Sequence, residues 1–407
     1  LSAPLCLRAA GSPVCRAPLP RARPNLWAQL TLSPPARYSG PSGEVMTLAA
    51  AARAPAIALA LALLLLGPTL ASGEDTTVKT TLCRGIFGSP QEIWDRGETL
   101  ADWHINAVFV GHGALSPEFI ERCHREGAKV YGEFGVFVGR EIAEKHPELW
   151  PIGADGKPLQ PDEWYLGLCP AHEWYVQEKL TELREMARAF PVDGVWLDFI
   201  RWPCHWEVPQ PRIEESCFCD YAVARFAAET GCQVTGDTPA EHAQSILSNY
   251  PSQWARWKAD QIIAFCRASK NILGHERPGA ILGIFSVPWS PADYDDAIDR
   301  IIAQDFQGLA RYVDAFSPMA YHAMCGWSPE WVGEHTAYLV QRTGRDVWPI
   351  VQAADTPPVT PDEFQRSMEA ALAAGATGLM PFTLSDVLKS EEKAAVLRAL
   401  YTAHSLE

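Results

Sequence analysis

A carboxylate interrupts an almost continuous apolar run in this chain. The segment DGVWLDFIRWP, residues 193–203, carries Val195, Trp196, Leu197, Phe199 and Ile200, with Asp198 in their midst. An ionised carboxyl group in such surroundings is costly unless it is paired or hydrogen-bonded. It serves packing poorly, so its type and place point to acid, base or nucleophile chemistry. Arg201, three residues on, supplies a cation that would keep the carboxylate ionised and fix its direction.

Polar side chains recur at the ends of other apolar runs. They are His112 in GHG, Glu133 in YGEFG, Trp289 in FSVPW, Tyr321 and His322 in SPMAYH, Asp355 in VQAAD, and Asp386 in FTLSD. Two carboxyl groups held close together can act as an acid and as a nucleophile or base. Asp198 is the leading candidate and Glu133 its first partner, because the runs that carry them are consecutive. Asp355 comes next. Arg201, Trp202, Trp206, Trp164, His112, Tyr321, His322, Trp289 and Asp386 are the expected substrate contacts. The tryptophans would hold sugar rings on their faces.

The elements that must position these groups are legible as alternation. Eight strand-like runs lie at residues 82–87, 106–110, 129–134, 194–200, 281–287, 313–319, 347–351 and 378–382. Helix-like spacing fills 117–126, 172–189, 253–271, 329–342, 361–374 and 391–403, and several of these open on SPEF, TPDEF or SPEW, where Ser or Thr caps and Pro takes the first turn. Eight strands, each followed by a helix, predict an α/β fold, a (β/α)8 TIM barrel, with long loops after strands three and four. No GxGxxG follows the first strand, which weakens a dinucleotide-binding sheet. In a barrel the chemistry gathers at the carboxyl ends of the strands, where the polar groups above stand.

Residues 46–73 have the layout of a secretory signal peptide: a basic residue, Arg53, then an apolar stretch, then small residues. The apolar stretch is short for a membrane span, so no stable anchor is expected after cleavage. Residues 1–45 are rich in Pro, Ala and Arg and read as an upstream, non-structural segment, which leaves 74–407 as a single barrel, secreted or periplasmic. Residues 1–73 hold six Arg and one Glu, so the remainder carries 28 basic against 48 acidic side chains, a net charge near −20. That balance argues against nucleic acid or an anionic membrane as partner.

Nine cysteines follow residue 73, an odd number that leaves at least one thiol free. Cys204, Cys217 and Cys219, with His205, offer either a disulfide or a zinc site; the exported setting favours the disulfide. No metal is assigned and no cofactor is required. The sequence says nothing of the oligomeric state.

VDGVWLDFIRWP resembles the fourth-strand signature of uncharacterised glycoside-hydrolase-like (β/α)8 barrels. HPELWPIGADGKP, LCPAHEWYVQEKL and VDAFSPMAYH are similar to their third loop, third helix and sixth strand. CFCDYAVARF is similar to a C-x-C-x2-C-x3-F element of some of them and of zinc-bearing β-galactosidases, but Ala222 stands where the third Cys would be. Chitinase-type barrels carry D-G-x-D-x-D-x-E on strand four; here only Asp193 and Asp198 match, and Ile200 occupies the position of the acid. The resemblance implies an exported glycoside hydrolase acting on a poly- or oligosaccharide. The alternative is a carbohydrate-binding barrel without catalysis. A lyase or a metal-dependent deacetylase, with His112, His322 and Asp355 as ligands, is a third reading.

Overall fold

The structure, a computed structural model, describes residues 81–162 and 164–405. The upstream segment and the signal-like segment lie outside the described residues. Among those described, no helix is long and apolar enough to cross a membrane.

Strands β1 (Cys83–Phe87), β2 (Ala107–Gly111), β3 (Lys129–Gly135), β4 (Gly194–Asp198), β5 (Ile281–Ser286) and β6 (Ala315–Ala320) pair in sequence order. The seventh stave is broken into β7 (Asp346–Val347) and β8 (Ile350–Gln352), both paired to β6, and β9 (Gly378–Phe382) returns to β1. All the pairings are parallel and the sheet closes, so the eight staves form the expected (β/α)8 barrel. The break falls at Pro349, which has no N–H to give to the ladder.

Most helices lie where the spacing predicts them. Pro117–Arg125 is capped by Ser116, and Pro361–Ala373 by a capping box of Thr360 and Glu363. Two expectations need correction. The loop after β4 holds two further helices, Asp220–Thr230 and Pro239–Asn249, before the long helix Pro251–Glu276. After β5 the regular helix is missing: a π-helical turn, Ile298–Ile302, and a single turn, Phe306–Leu309, take its place.

The barrel interior is filled by aromatic rings. Trp196 stacks on Trp348 with centroids 5.3 Å apart and meets Phe109 and Tyr131 at 4.9 and 4.8 Å. Its indole N–H donates to Ser317 Oγ at 2.9 Å, so the polar edge of this buried ring is satisfied. The ring fits because β5 presents Gly283 to it: a Cβ there would stand 2.1 Å from Trp196 Cε2. Gly283→Ala is therefore expected to over-pack the barrel and destabilise it by about 1–3 kcal/mol or more, measured as a fall in the denaturant midpoint. An unchanged midpoint would contradict this account of the interior.

Candidate active site

Strand periodicity aims the central carboxylates. Side chains two residues apart share a face, so Asp198 points the way Trp196 points, into the barrel and one layer nearer its carboxyl end. Glu133 stands in the same relation to Tyr131. The ladder sets Glu133 opposite Trp196 and Gly135 opposite Asp198, which brings the two acids to neighbouring strands at the mouth. Glu133 lies over Gly111, where even a Cβ would meet its carboxylate only at an ordinary contact distance of 3.5 Å.

The electrostatics follow from that placement. Burial, with the charge of Glu133 added, pushes the Asp198 carboxyl up from its ordinary 3.8 to about 7, against the opposing pull of Arg201 and of the Phe199 N–H that donates to Oδ1 at 2.7 Å. Phe199 takes a left-handed φ of 51°, which turns the chain out of the strand just after the carboxylate. Burial also raises Glu133. Two carboxyl groups that share a poorly solvated space do not both ionise readily, so one of them holds a proton near neutral pH.

A third acid joins them from the fourth loop. Glu207 is raised by burial, against Arg201 and His205, and its Oε2 is buried without a hydrogen bond. The Tyr321 hydroxyl is held protonated by burial first and then by Asp198, Glu207 and Glu133, so all three carboxylates act on one phenol. Tyr321 stacks on Trp206 at 5.8 Å and lies 4.7 Å from Phe382, which meets Phe87 and, through it, Phe285. An aromatic ring thus lines the mouth around the acids.

Arg201 is buried, with its guanidinium 5.0 Å from the Phe199 ring and 5.5 Å from Tyr165. No ion pair joins it to Asp198 among the described residues; it acts on the carboxylate through space. Burial opposes its charge, and Tyr165, Glu207 and Asp198 outweigh that cost. Its Nε and Nη1 have no partner, two buried donors beside three acids. Tyr165 Oη accepts from Cys204 N at 3.1 Å and ties the third loop to the fourth. The loops approach this closely because residue 167 is Gly: a Cβ there would lie 2.5 Å from Tyr165 Oη. On the same rim His205 Nδ1 lies 3.3 Å from Asp162 Oδ2, while its Nε2 lies 3.8 Å from Glu207 Oε2.

Asp198, Glu133, Arg201, Tyr321 and Trp206 therefore come together. Trp164 is exposed on the rim, 6.2 Å from Phe199, and His112 is exposed just past β2, 6.1 Å from Phe134. Trp289 is buried against Tyr294. Four expectations are corrected. Trp202 packs on Trp254 and Trp257 and donates to Lys258 O at 3.1 Å, so it belongs to the core behind the barrel wall. His322 is buried facing Ser367 of the helix Pro361–Ala373, because it alternates with the inward Tyr321. Asp355 is exposed and paired at 2.6 Å with the buried Lys393, which holds its carboxyl below the usual range. Asp386 caps the helix Leu384–Leu388 with Thr383 and pairs with Lys389 at 2.7 Å. Glu207 and Asp162 had no part in the expectations from the sequence. Both lie in the two long loops; the adjacency of Glu207 to Trp206 is the available signal.

The cysteines also sort differently. The described ones are free thiols, with no disulfide among them. Cys204 Sγ faces the Arg212 carbonyl at 3.9 Å, and His205 is engaged by the acids. Cys169 and His172 join Cys219 in their stead and could hold a metal ion.

The closed parallel barrel is shared with solved structures. No family model and no curated protein sequence matches the chain. Solved structures do: the glycoside hydrolase domain of PgaB (BpsB) from Bordetella bronchiseptica has a TM-score of 0.60 at 15% identity, covering 78% of this chain and 98% of that one. A β-galactosidase from the psychrophilic Marinomonas ef1 gives 0.56 at 14% identity, covering 78% of this chain and 58% of that one. The catalytic domain of a β-amylase from Paenibacillus polymyxa gives 0.51 at 10% identity, covering 77% and 96%. The chain shares with these glycoside hydrolases the TIM-barrel fold.

The raised carboxyl of Asp198 has a cost in stability. Its folded value lies above its unfolded one, so the contribution of this group is fully present below about pH 4 and is lost as pH rises through about 7. Asp198→Asn, which does not titrate, is expected to be more stable than the parent above pH 7 by about 1–3 kcal/mol. The gain should shrink towards pH 4, and denaturant melts across that range check it. A variant less stable than the parent at pH 8 would make Asp198 a structural anchor.

Proposed function

We propose that this protein hydrolyses glycosidic bonds in a poly- or oligosaccharide, with Asp198 as general acid and Glu133 as its carboxylate partner. The observation that carries this is the pair of desolvated acids at the mouth of the barrel, with the Asp198 carboxyl poised at about 7. A carboxyl raised in this way delivers a proton near neutral pH, while its neighbour stays available as nucleophile or base. Glu207 and the free donors of Arg201 would bind sugar hydroxyls. The aromatic ring of Phe87, Phe285, Phe382, Tyr321 and Trp206 would exclude water and pack on the apolar faces of the sugar. The signal-like segment 46–73 and the acidic balance of the chain support action outside the cytoplasm on a carbohydrate, without nucleic acid as a partner.

Reducing-end release from a panel of polysaccharides tests the activity. On the best substrate found, Asp198→Asn and Glu133→Gln are each expected to lose at least about a hundredfold in turnover, the usual scale of acid–base contributions. For the parent, turnover should fall as pH rises through about 7, where the acid loses its proton. Full activity of Asp198→Asn would end the assignment. Binding of a glycan with no bond cleavage would make the protein a carbohydrate-binding barrel.

A further inference from the structure

Three titratable groups form a line across the seam between the loops after β3 and β4, with His205 at its centre. The surroundings fix the imidazole. The backbone of His205 bridges antiparallel to Arg212. Its ring stacks on Tyr165, with centroids 5.9 Å apart at 23°, and meets Trp164 edge-on at 5.8 Å. Both ring nitrogens then face carboxylates. Nδ1 lies 3.3 Å from Asp162 Oδ2 on the third loop, and Nε2 lies 3.8 Å from Glu207 Oε2 on the fourth. Asp162 is held in turn by Arg212 at 3.4 Å, whose guanidinium also donates to Gln160 O at 2.6 Å and pairs with Glu214 at 3.4 Å. The imidazole therefore has a partly exposed, anchored acid on one side and the acid of the barrel mouth on the other.

Glu207 needs such a neighbour. Its Oε2 is buried and has no hydrogen-bond partner among the described residues. Burial raises its carboxyl, and the charges that oppose the rise are Arg201 first and His205 second. Of these two, Arg201 also acts on Asp198, whereas His205 reaches Glu207 from the rim. Tyr321 and Cys325 also sense Glu207, and neither brings a positive charge. A carboxyl group enclosed in this way exchanges its proton through a neighbouring base, and His205 Nε2 stands in place for it.

We propose that His205, oriented by Asp162, carries protons between the rim and Glu207 and holds Glu207 ionised, which leaves the proton of the mouth on Asp198. The proposal rests on the hydrolytic reading above and names the residue that divides the acids into charged and neutral. The step is a proton transfer alone. The O–H bond of Glu207 breaks, an N–H bond forms at His205 Nε2, and the imidazolium releases that proton to water at the rim. An Nδ1–H directed at Asp162 fixes the tautomer that leaves Nε2 free to accept. A gap of 3.8 Å is an ion-pair distance, longer than a hydrogen bond, so transfer requires the Glu207 carboxyl to swing towards the ring. The imidazolium that results lies between two carboxylates, and both favour its charge. The charge left on Glu207 opposes ionisation of Asp198. His205 touches no reacting atom; it is a positioning residue that acts through Glu207.

Carboxyl titrations of the full chain, followed by carbon NMR with labelled aspartate and glutamate, test this without any substrate. Glu207→Gln and Asp198→Asn assign the resonances. In His205→Gln, which stays polar but cannot carry the proton, the Glu207 midpoint should rise by about one pH unit or more, the scale for losing an opposite charge within about 4–6 Å. In the same variant the Asp198 midpoint should fall below its parent value of about 7. Adding His205→Gln to Glu207→Gln should move Asp198 no further, which separates action through Glu207 from a disturbance of the loop. Asp162→Asn keeps the imidazole and should shift both midpoints in the same directions by less; it carries the test if His205→Gln does not fold. On a glycan that is cleaved, His205→Gln should move the alkaline limb of turnover to lower pH. Unchanged midpoints in folded His205→Gln would overturn the proposal, whatever the parent cleaves. Midpoints that move as expected in a protein that cleaves no glycan would uphold the proton path and overturn hydrolysis alone.

Discussion

The packing of Trp196 over Gly283 is the constraint on which the rest depends. Inside a barrel each layer stands on the one beneath, and here the lower layer is a dry floor of Trp196, Trp348, Phe109 and Tyr131. A side chain added at residue 283 would displace the indole, and with it the direction of the strand that carries Asp198. The floor also denies Asp198 and Glu133 water from below. The same apolar burial that stabilises the fold therefore keeps a proton on a carboxyl group where free aspartate has lost it. The burial that stabilises the fold and the raised carboxyl of Asp198 come from one arrangement, and at Asp198 they pull against each other.

The roof is a separate problem, because long loops are mobile unless something holds them. Here the fourth loop is anchored from behind. Lys258 of the helix Pro251–Glu276 is wholly buried and pairs with Glu215, its ammonium lying 5.6 and 5.9 Å from the Trp202 and Trp254 rings. Breaking a buried pair of this kind costs about 3–5 kcal/mol, so the anchor is firm. Trp202, read from sequence as a sugar platform, is part of it. In front, Arg201 lies against Phe199 and Tyr165, and the phenol of Tyr165 caps the backbone of Cys204. Groups held in this way have little freedom to reorganise, the arrangement that the proposed hydrolysis would use.

The resulting mouth is rich in acid. Three acids face one arginine and one phenol, and every acid is raised by burial. The barrels that resemble this one share its fold at 10–15% identity, which leaves the mouth as the place where function is decided. The Asp162, His205 and Glu207 chain along the rim couples the third acid to solvent, and so distinguishes it from the two on the strands.

The sequence by itself determined the barrel and its central acid. Strand alternation, helix caps and one carboxylate set in an apolar run are local properties, and period two is enough to send Asp198, Glu133 and Tyr321 inward. It could not tell an inward strand-end acid from one already claimed. Asp355 is neutralised by Lys393, 38 residues further on, and Asp386 by a cap that forms only when the next helix does. Nor could it show that Trp202 turns towards the outer helix or that Glu207 folds back over the mouth, since neither loop has a repeat to fix its direction. The cysteines make the same point: Cys169 and Cys219 are 50 residues apart and meet only because two loops are brought together on adjacent strands. Periodicity acts over neighbours in the chain, whereas pairing, burial and desolvation act over neighbours in space, and those the tertiary structure alone decided.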